Sequence, residues 1–164
     1  MSETGPEAIL ARLVSNEVDF VLIGGLAAIA HGSQRVTRDI DVFVEPSNAN
    51  LARLEAALAQ LEAVQLLPGG EEGKIESSDL SMVGLGATLH TRSASGRLDI
   101  VGAPAGAASY GDVRKRAVTG QISGIQIWIS GVNDLVSMKR AAGRPLDLQD
   151  VADITESSRP DFER

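Results

Sequence analysis

A pair of glycines and a pair of aspartates carry the chemistry that this chain can do. Gly24-Gly25 ends the apolar run V-L-I-G-G, and Asp39 and Asp41 flank Ile40 at the head of a second apolar run, D-I-D-V-F-V. Side chains alternate along a strand, so Asp39 and Asp41 point to one face and Ile40 and Val42 to the other. Carboxylates on adjacent same-face positions can share a divalent cation, and that cation can hold a nucleotide's phosphates. Glycine lets a backbone approach a phosphate closely. The start of the helix that follows offers free N–H groups and a partial positive charge. Together the two features describe a backbone phosphate seat beside a metal-binding carboxylate pair. Each alone is commonplace: a Gly pair after a strand is usually a turn, and Asp-x-Asp usually a solvated strand edge.

Positioning them takes a strand, a short helix and a second strand. Phe20 to Ile23 reads as a buried strand, Leu26 to Ala30 as a short apolar helix, and Ile40 to Val44 as a strand that Pro46 stops. Upstream, Glu7 to Asn16 is an amphipathic helix with Ile9, Leu10, Leu13 and Val14 on one side, so 1–17 is an N-terminal helical segment. Downstream, Ser47 caps a helix from Asn48 to Glu62. Pro68-Gly69-Gly70 breaks the chain, and the polar stretch Glu71 to Asp79 reads as a loop. Met82 to Thr91 reads as a glycine-rich strand, joined through the turn Ser93 to Gly96 to a strand from Arg97 to Val101. Val118 to Ile122 and Ile125 to Ile129 form a second hairpin around Ser123-Gly124. Asn133 or Ser130 caps a helix from Asp134 to Ala142. Gly143 ends it and Pro145 opens the last helix, to Ser157, so 131–158 is a C-terminal helical pair. With no repeat and no dividing linker, 1–164 reads as a single domain.

Composition narrows the setting. The length of 164 residues suits one domain with a proper core, resting on Leu, Ile, Val and Ala because aromatics are scarce. The absence of cysteine excludes disulfides and thiolate metal sites. No run is long and apolar enough to span a bilayer, and the N-terminus lacks the layout of a signal peptide, so a cytoplasmic protein with no membrane partner is the expectation. The net charge of −7 argues against indiscriminate nucleic-acid binding but leaves room for a local basic path. Two basic clusters exist: Arg114-Lys115-Arg116, read as a solvated helix face, and Lys139-Arg140 with Arg144.

The order apolar residue, Gly-Gly, spacer, Asp-x-Asp resembles the nucleotidyltransferase superfamily that includes DNA polymerase beta. The longer pattern G-G-x-A-x-x-x-H-G-x-x-R-x-T-x-D-I-D, with His31, Arg35 and Thr37 in place, narrows the resemblance to AbiEii-type nucleotidyltransferase toxins of bacterial toxin–antitoxin systems. So does D-L-V-S-M-K-R-A-A-G-R-P-L-D-L-Q-D-V near the C-terminus. The resemblance implies an α/β (α+β) fold, a mixed central β-sheet flanked by helices. It also implies a third carboxylate on a neighbouring strand, for which Asp99 in R-L-D-I-V is the candidate. Lys139 and Arg144 are implied as phosphate contacts, and Asp147 and Asp150 as an acidic helix start that favours the helix electrostatically or orients those cations. Arg35 pairs with Asp39 or a phosphate, His31 caps or packs the short helix, and His90 is structural. Gly25 departs from the many superfamily members that have Ser there, which leaves its phosphate contact to backbone N–H groups.

The implied reaction moves a nucleoside monophosphate from an NTP to an acceptor hydroxyl and releases pyrophosphate. Asp39 and Asp41 would bridge two Mg²⁺ ions, for which Mn²⁺ could substitute, and Asp99 would complete the ion that activates the acceptor. Gly24, Gly25, Arg35, Thr37, Lys139 and Arg144 would hold the nucleotide. The acceptor is RNA (tRNA-like) or protein, and the cognate partner is an antitoxin if this chain is the toxin, or a toxin if it is an adenylylating antitoxin. An inert nucleotidyltransferase-like subunit is disfavoured by the presence of all three carboxylates. A haloacid-dehalogenase-type phosphatase needs an apolar strand directly before the first Asp, where this chain has Arg35-Val36-Thr37-Arg38. A dinucleotide site needs the G-x-G-x-x-G spacing, which is absent.

Overall fold

The computed structural model describes residues 4–158. Pro6 opens α1 (Pro6–Ser15), whose Ile9, Leu10 and Leu13 are fully buried. The apolar strand β1 (Phe20–Ile23) runs without a loop into α2 (Gly24–Ala30), so the helix starts at the Gly pair itself rather than at Leu26. After an irregular stretch come β2 (Ile40–Val44) and α3 (Asn48–Gln60), where Ser47 Oγ accepts the Asn50 N–H at 3.2 Å as the sequence predicts.

The next stretch corrects the sequence reading. A short hairpin, β3 (Val64–Leu66) and β4 (Glu72–Gly73), is followed by α4 (Ser77–Gly84), where a loop and then a strand were expected. The Asp79 carboxylate accepts the Glu76 N–H at 2.8 Å and so starts a helix in a polar stretch. Leu80 and Val83, three apart, bury its one apolar side. Extended chain resumes only at β5 (Thr88–Ser93), which pairs with β6 (Gly96–Val101) across the expected turn.

A helix not anticipated from sequence, α5 (Tyr110–Arg116), leads into the second hairpin, β7 (Val118–Ile122) and β8 (Ile125–Ile129). The basic run at the end of α5 is not a freely solvated face. Arg116 forks onto Asp134 with two contacts of 2.8 Å, and the Arg114 guanidinium stacks 3.4 Å over the Trp128 ring. Last come α6 (Val132–Ala142) and α7 (Pro145–Ser157). Gly131 caps α6 without a side chain, in place of Asn133 or Ser130. Gly143 closes it in the left-handed conformation, φ +67°.

All the strands join one eight-stranded sheet in the order β4-β3-β5-β6-β2-β1-β8-β7, parallel at β2–β6 and β1–β8 and antiparallel elsewhere. This is the mixed α/β architecture that the resemblance implies. The sheet's two faces differ sharply. Ile40, Val42, Leu89, Leu98 and Ile100 are buried under α1, α3 and α4, each worth about 1.5–3 kcal/mol of burial. On the opposite face α2, α6 and α7 group beside β1 and β2, while His90, Arg92 and Arg97 stand exposed on β5 and β6.

Candidate active site

Strand register sets the site. Ile23 of β1 lies opposite Asp41 of β2, and Asp41 opposite Asp99 of β6, so one row crosses three strands on the open face. The next residue in β5 along that row is His90, opposite Asp99. Asp39 precedes β2 on the same face, and its N–H donates to Thr37 Oγ1 at 3.2 Å.

Both glycines are dictated by what lies beside them. Gly24 has φ +73°, and a Cβ on it would come within 2.2 Å of Asp41 Oδ2. The backbone at the strand–helix junction thus lies directly against the central carboxylate, which only glycine permits. At Gly25 a Cβ would come within 2.2 Å of Arg35 Nη2.

A cavity of about 650 Å³ collects the residues assigned from sequence to metal and nucleotide: Gly24, Gly25, Arg35, Thr37, Asp39, Asp41, Asp99, Lys139 and Arg144. One contact departs from an expected alternative. Arg35 does not pair with Asp39; its Nε lies 3.1 Å from Asp150 Oδ1. Lys139 is buried, 4% exposed, with its ammonium 2.8 Å from Asp150 Oδ2 and 3.4 Å from Asp147 Oδ1. Arg144 spends its fork on Asp147, with Nε 2.6 Å from Oδ2 and Nη2 3.2 Å from Oδ1. Asp147 also accepts the Arg144 N–H at 3.2 Å, so it both opens α7 and fixes the cations. Burial works against its charge, but the Arg144 hydrogen bonds and the Lys139 charge hold its carboxyl below the usual range. Asp150 further accepts from Ser33 Oγ at 2.8 Å, which ties α7 to the stretch after α2. His31 does cap α2, and its Nε2 meets the Ser130 carbonyl oxygen at 2.7 Å.

Asp99 has two neighbours that sequence reading did not assign to the site. Arg97 Nε and His90 Nδ1 both reach its Oδ1, at 3.1 and 3.0 Å. The signal was present: an antiparallel hairpin with its turn at Ser93 to Gly96 sets His90 opposite Asp99.

Electrostatically the row is short of positive charge. Burial, then the charge of Asp99, pushes the Asp41 carboxyl up to about 6 despite the opposing pull of Lys139. Asp39 adds to the crowding. Such an all-oxygen donor set, short of positive charge, suits a hard divalent cation. Among the described residues, however, no group of three such side chains already stands as a metal cage. One oxygen of Asp99 is committed to Arg97 and His90.

No helix of the described residues is long and apolar enough to cross a membrane. Comparison with curated proteins finds no match to the chain. A family model does match, over residues 8–100, more than half of the chain, from α1 to the strand bearing Asp99. The match contains the Gly pair and Asp39, Asp41 and Asp99, and the chain belongs to the AbiEii nucleotidyl transferase toxin family of type IV toxin–antitoxin systems.

Proposed function

We propose that the protein transfers a nucleoside monophosphate from an NTP to an acceptor hydroxyl, with release of pyrophosphate, and that it acts as the toxin of its pair. The carrying observation is the row Asp41–Asp99 with the Gly24 backbone pressed against Asp41. That places a close-approach backbone beside a carboxylate cluster in need of counter-charge.

Asp39, Asp41 and Asp99 would hold the metal, Mg²⁺ or Mn²⁺, which when bound supplies the positive charge that favours loss of the acceptor's proton and of pyrophosphate. The chain's own groups do the rest. Gly24 and Gly25 let the outer phosphates lie against the backbone. Lys139 gives that end a fixed cation which, buried between Asp147 and Asp150, needs no reorganisation. Thr37 sets Asp39 by accepting its N–H. Arg97 and His90 orient Asp99 through one oxygen, and its other oxygen can take the acceptor's proton. The acceptor, RNA or protein, approaches over the exposed face of β5 and β6, past His90, Arg92 and Arg97. Arg92 and Arg97 keep exposed guanidinium edges beside their partners Glu72 and Asp99, and these favour RNA as the acceptor in a chain whose net charge is −7.

The test is incubation with each α-labelled NTP, Mg²⁺ and separated cellular RNA and protein, beside Asp41→Asn. Label entering RNA from the wild type alone is the expected result. Label confined to one protein partner would instead make this chain an adenylylating antitoxin. No transfer with any NTP would defeat the proposal.

A further inference from the structure

The Arg35 guanidinium lies where a side chain at position 25 would have to go. A Cβ on Gly25 would meet Arg35 Nη2 at 2.2 Å and Cζ at 2.8 Å. Gly25 is not among the residues of positive φ, so its backbone does not demand glycine; the guanidinium does. Arg35 is held from behind. Its Nε is at ion-pair distance, 3.1 Å, from Asp150 Oδ1, and the two side chains are 23% and 1% exposed. The contact is poorly aligned: Arg35 Nε is a buried atom with no hydrogen-bond partner, while the other oxygen of Asp150 is 2.8 Å from the Lys139 ammonium. With Nε turned to Asp150, the Nη end lies over Gly25 in the wall of the cavity.

We propose that Gly25, Arg35 and Asp150 form one oligophosphate-gripping unit, in which the guanidinium takes the space, and does the work, of a hydroxyl-bearing side chain at position 25. The inference rests on the nucleotide reading above. Its ligand is the di- or triphosphate chain, whether of an NTP or of released pyrophosphate. A guanidinium edge offers a phosphate a charged, planar donor where a hydroxyl offers one neutral bond. Asp150 touches no ligand; it is a positioning residue that keeps the guanidinium from swinging into solvent. Positions 25 and 35 are therefore alternatives: a side chain at one evicts the side chain of the other.

Calorimetric titration of the full chain with magnesium tripolyphosphate, and separately with an NTP, tests this across Gly25→Ser, Arg35→Ala and the double variant. Each single change is expected to weaken tripolyphosphate binding about ten-fold, the scale of one charge-assisted hydrogen bond. The double variant is expected to bind no more weakly than the weaker single, because the hydroxyl then has room. Gly25→Ala evicts the guanidinium without replacing it and is expected to match Arg35→Ala. Losses that multiply in the double variant, or unchanged affinity in Arg35→Ala, overturn the coupling. Melting temperatures separate binding loss from unfolding. Should Gly25→Ser fail to fold, Arg35→Lys carries the test: it is expected to lose affinity as Arg35→Ala does, and wild-type binding by it overturns the proposal. A wild type that binds neither NTP nor tripolyphosphate refutes the nucleotide reading itself. A wild type that binds NTP, with independent losses at 25 and 35, refutes only the coupled unit.

Discussion

Asp41 is a half-buried acid with two acidic neighbours, and its proton affinity has consequences for the empty protein. Its carboxyl titrates near 6 in the fold against 3.8 unfolded, raised by burial and then by Asp99. The folded state therefore binds the proton more tightly than the unfolded chain does. The stability this confers is complete below 3.8 and is lost as pH rises through about 6. Without metal, the melting temperature is expected to be higher at pH 5 than at pH 7.5, a difference that Asp41→Asn removes. At pH 7.5 the same variant should be more stable than wild type by roughly 1–3 kcal/mol and should lose transfer at least about a hundred-fold. Thermal melts at the two pH values and the labelled transfer assay check both halves; full activity in a folded Asp41→Asn would remove this residue from the chemistry. Gly24→Ala is the complementary change. It forces a Cβ into the left-handed region and onto Asp41 Oδ2, so it is expected to cost about 1–3 kcal/mol in chemical denaturation and to abolish transfer.

At the scale of elements, α6 and α7 are joined by charge. Lys139 is enclosed by Asp147 and Asp150, whereas Arg144 grips Asp147 from a mostly exposed position, its side chain 75% exposed. Lys139→Ala leaves two carboxylates with too little counter-charge and is expected to cost about 3–5 kcal/mol. Arg144→Ala, screened by solvent, is expected to cost no more than about 1 kcal/mol. Chemical denaturation of both variants measures the contrast, and equal losses would contradict it. NTP affinity in Lys139→Ala is therefore interpretable only beside its stability. These two helices were legible in sequence because Gly143 and Pro145 punctuate them. So were the strands carrying Asp41 and Asp99, the first as an apolar run that Pro46 stops and the second by alternation in R-L-D-I-V. The helix α4 was not, because its start lies in a capping contact between Glu76 and Asp79 and only Leu80 and Val83 mark its buried side. Nor could spacing alone reveal that Arg35 turns to Asp150, since those residues meet only when α7 folds back on the stretch after α2.

On the scale of the whole molecule, the sheet has one sealed face and one that is partly open, and the open part begins where Asp99 is. His90→Ala removes a contact to Asp99 from an exposed position. It is expected to raise the apparent KM for the acceptor several-fold while leaving NTP affinity near wild type. Steady-state kinetics with the labelled acceptor fraction, set against NTP titration, reads the split, and a loss confined to NTP binding would place His90 elsewhere. The cavity draws its walls from widely separated parts of the chain: the glycines and aspartates from the first hundred residues, Lys139 and Asp147 from α6 and α7. A ribosome makes these in order, and the carboxylate row emerges well before the lysine that faces it. Until α7 is made, Arg35 has no Asp150 behind it and Lys139 has neither of its two carboxylates. A growing chain of this family member, or one cut short at Gly143, thus carries the aspartates in an unfinished cavity. On the function proposed above, translation itself acts as a delay: the cavity wall that faces the carboxylates is complete only once α6 and α7 have been made.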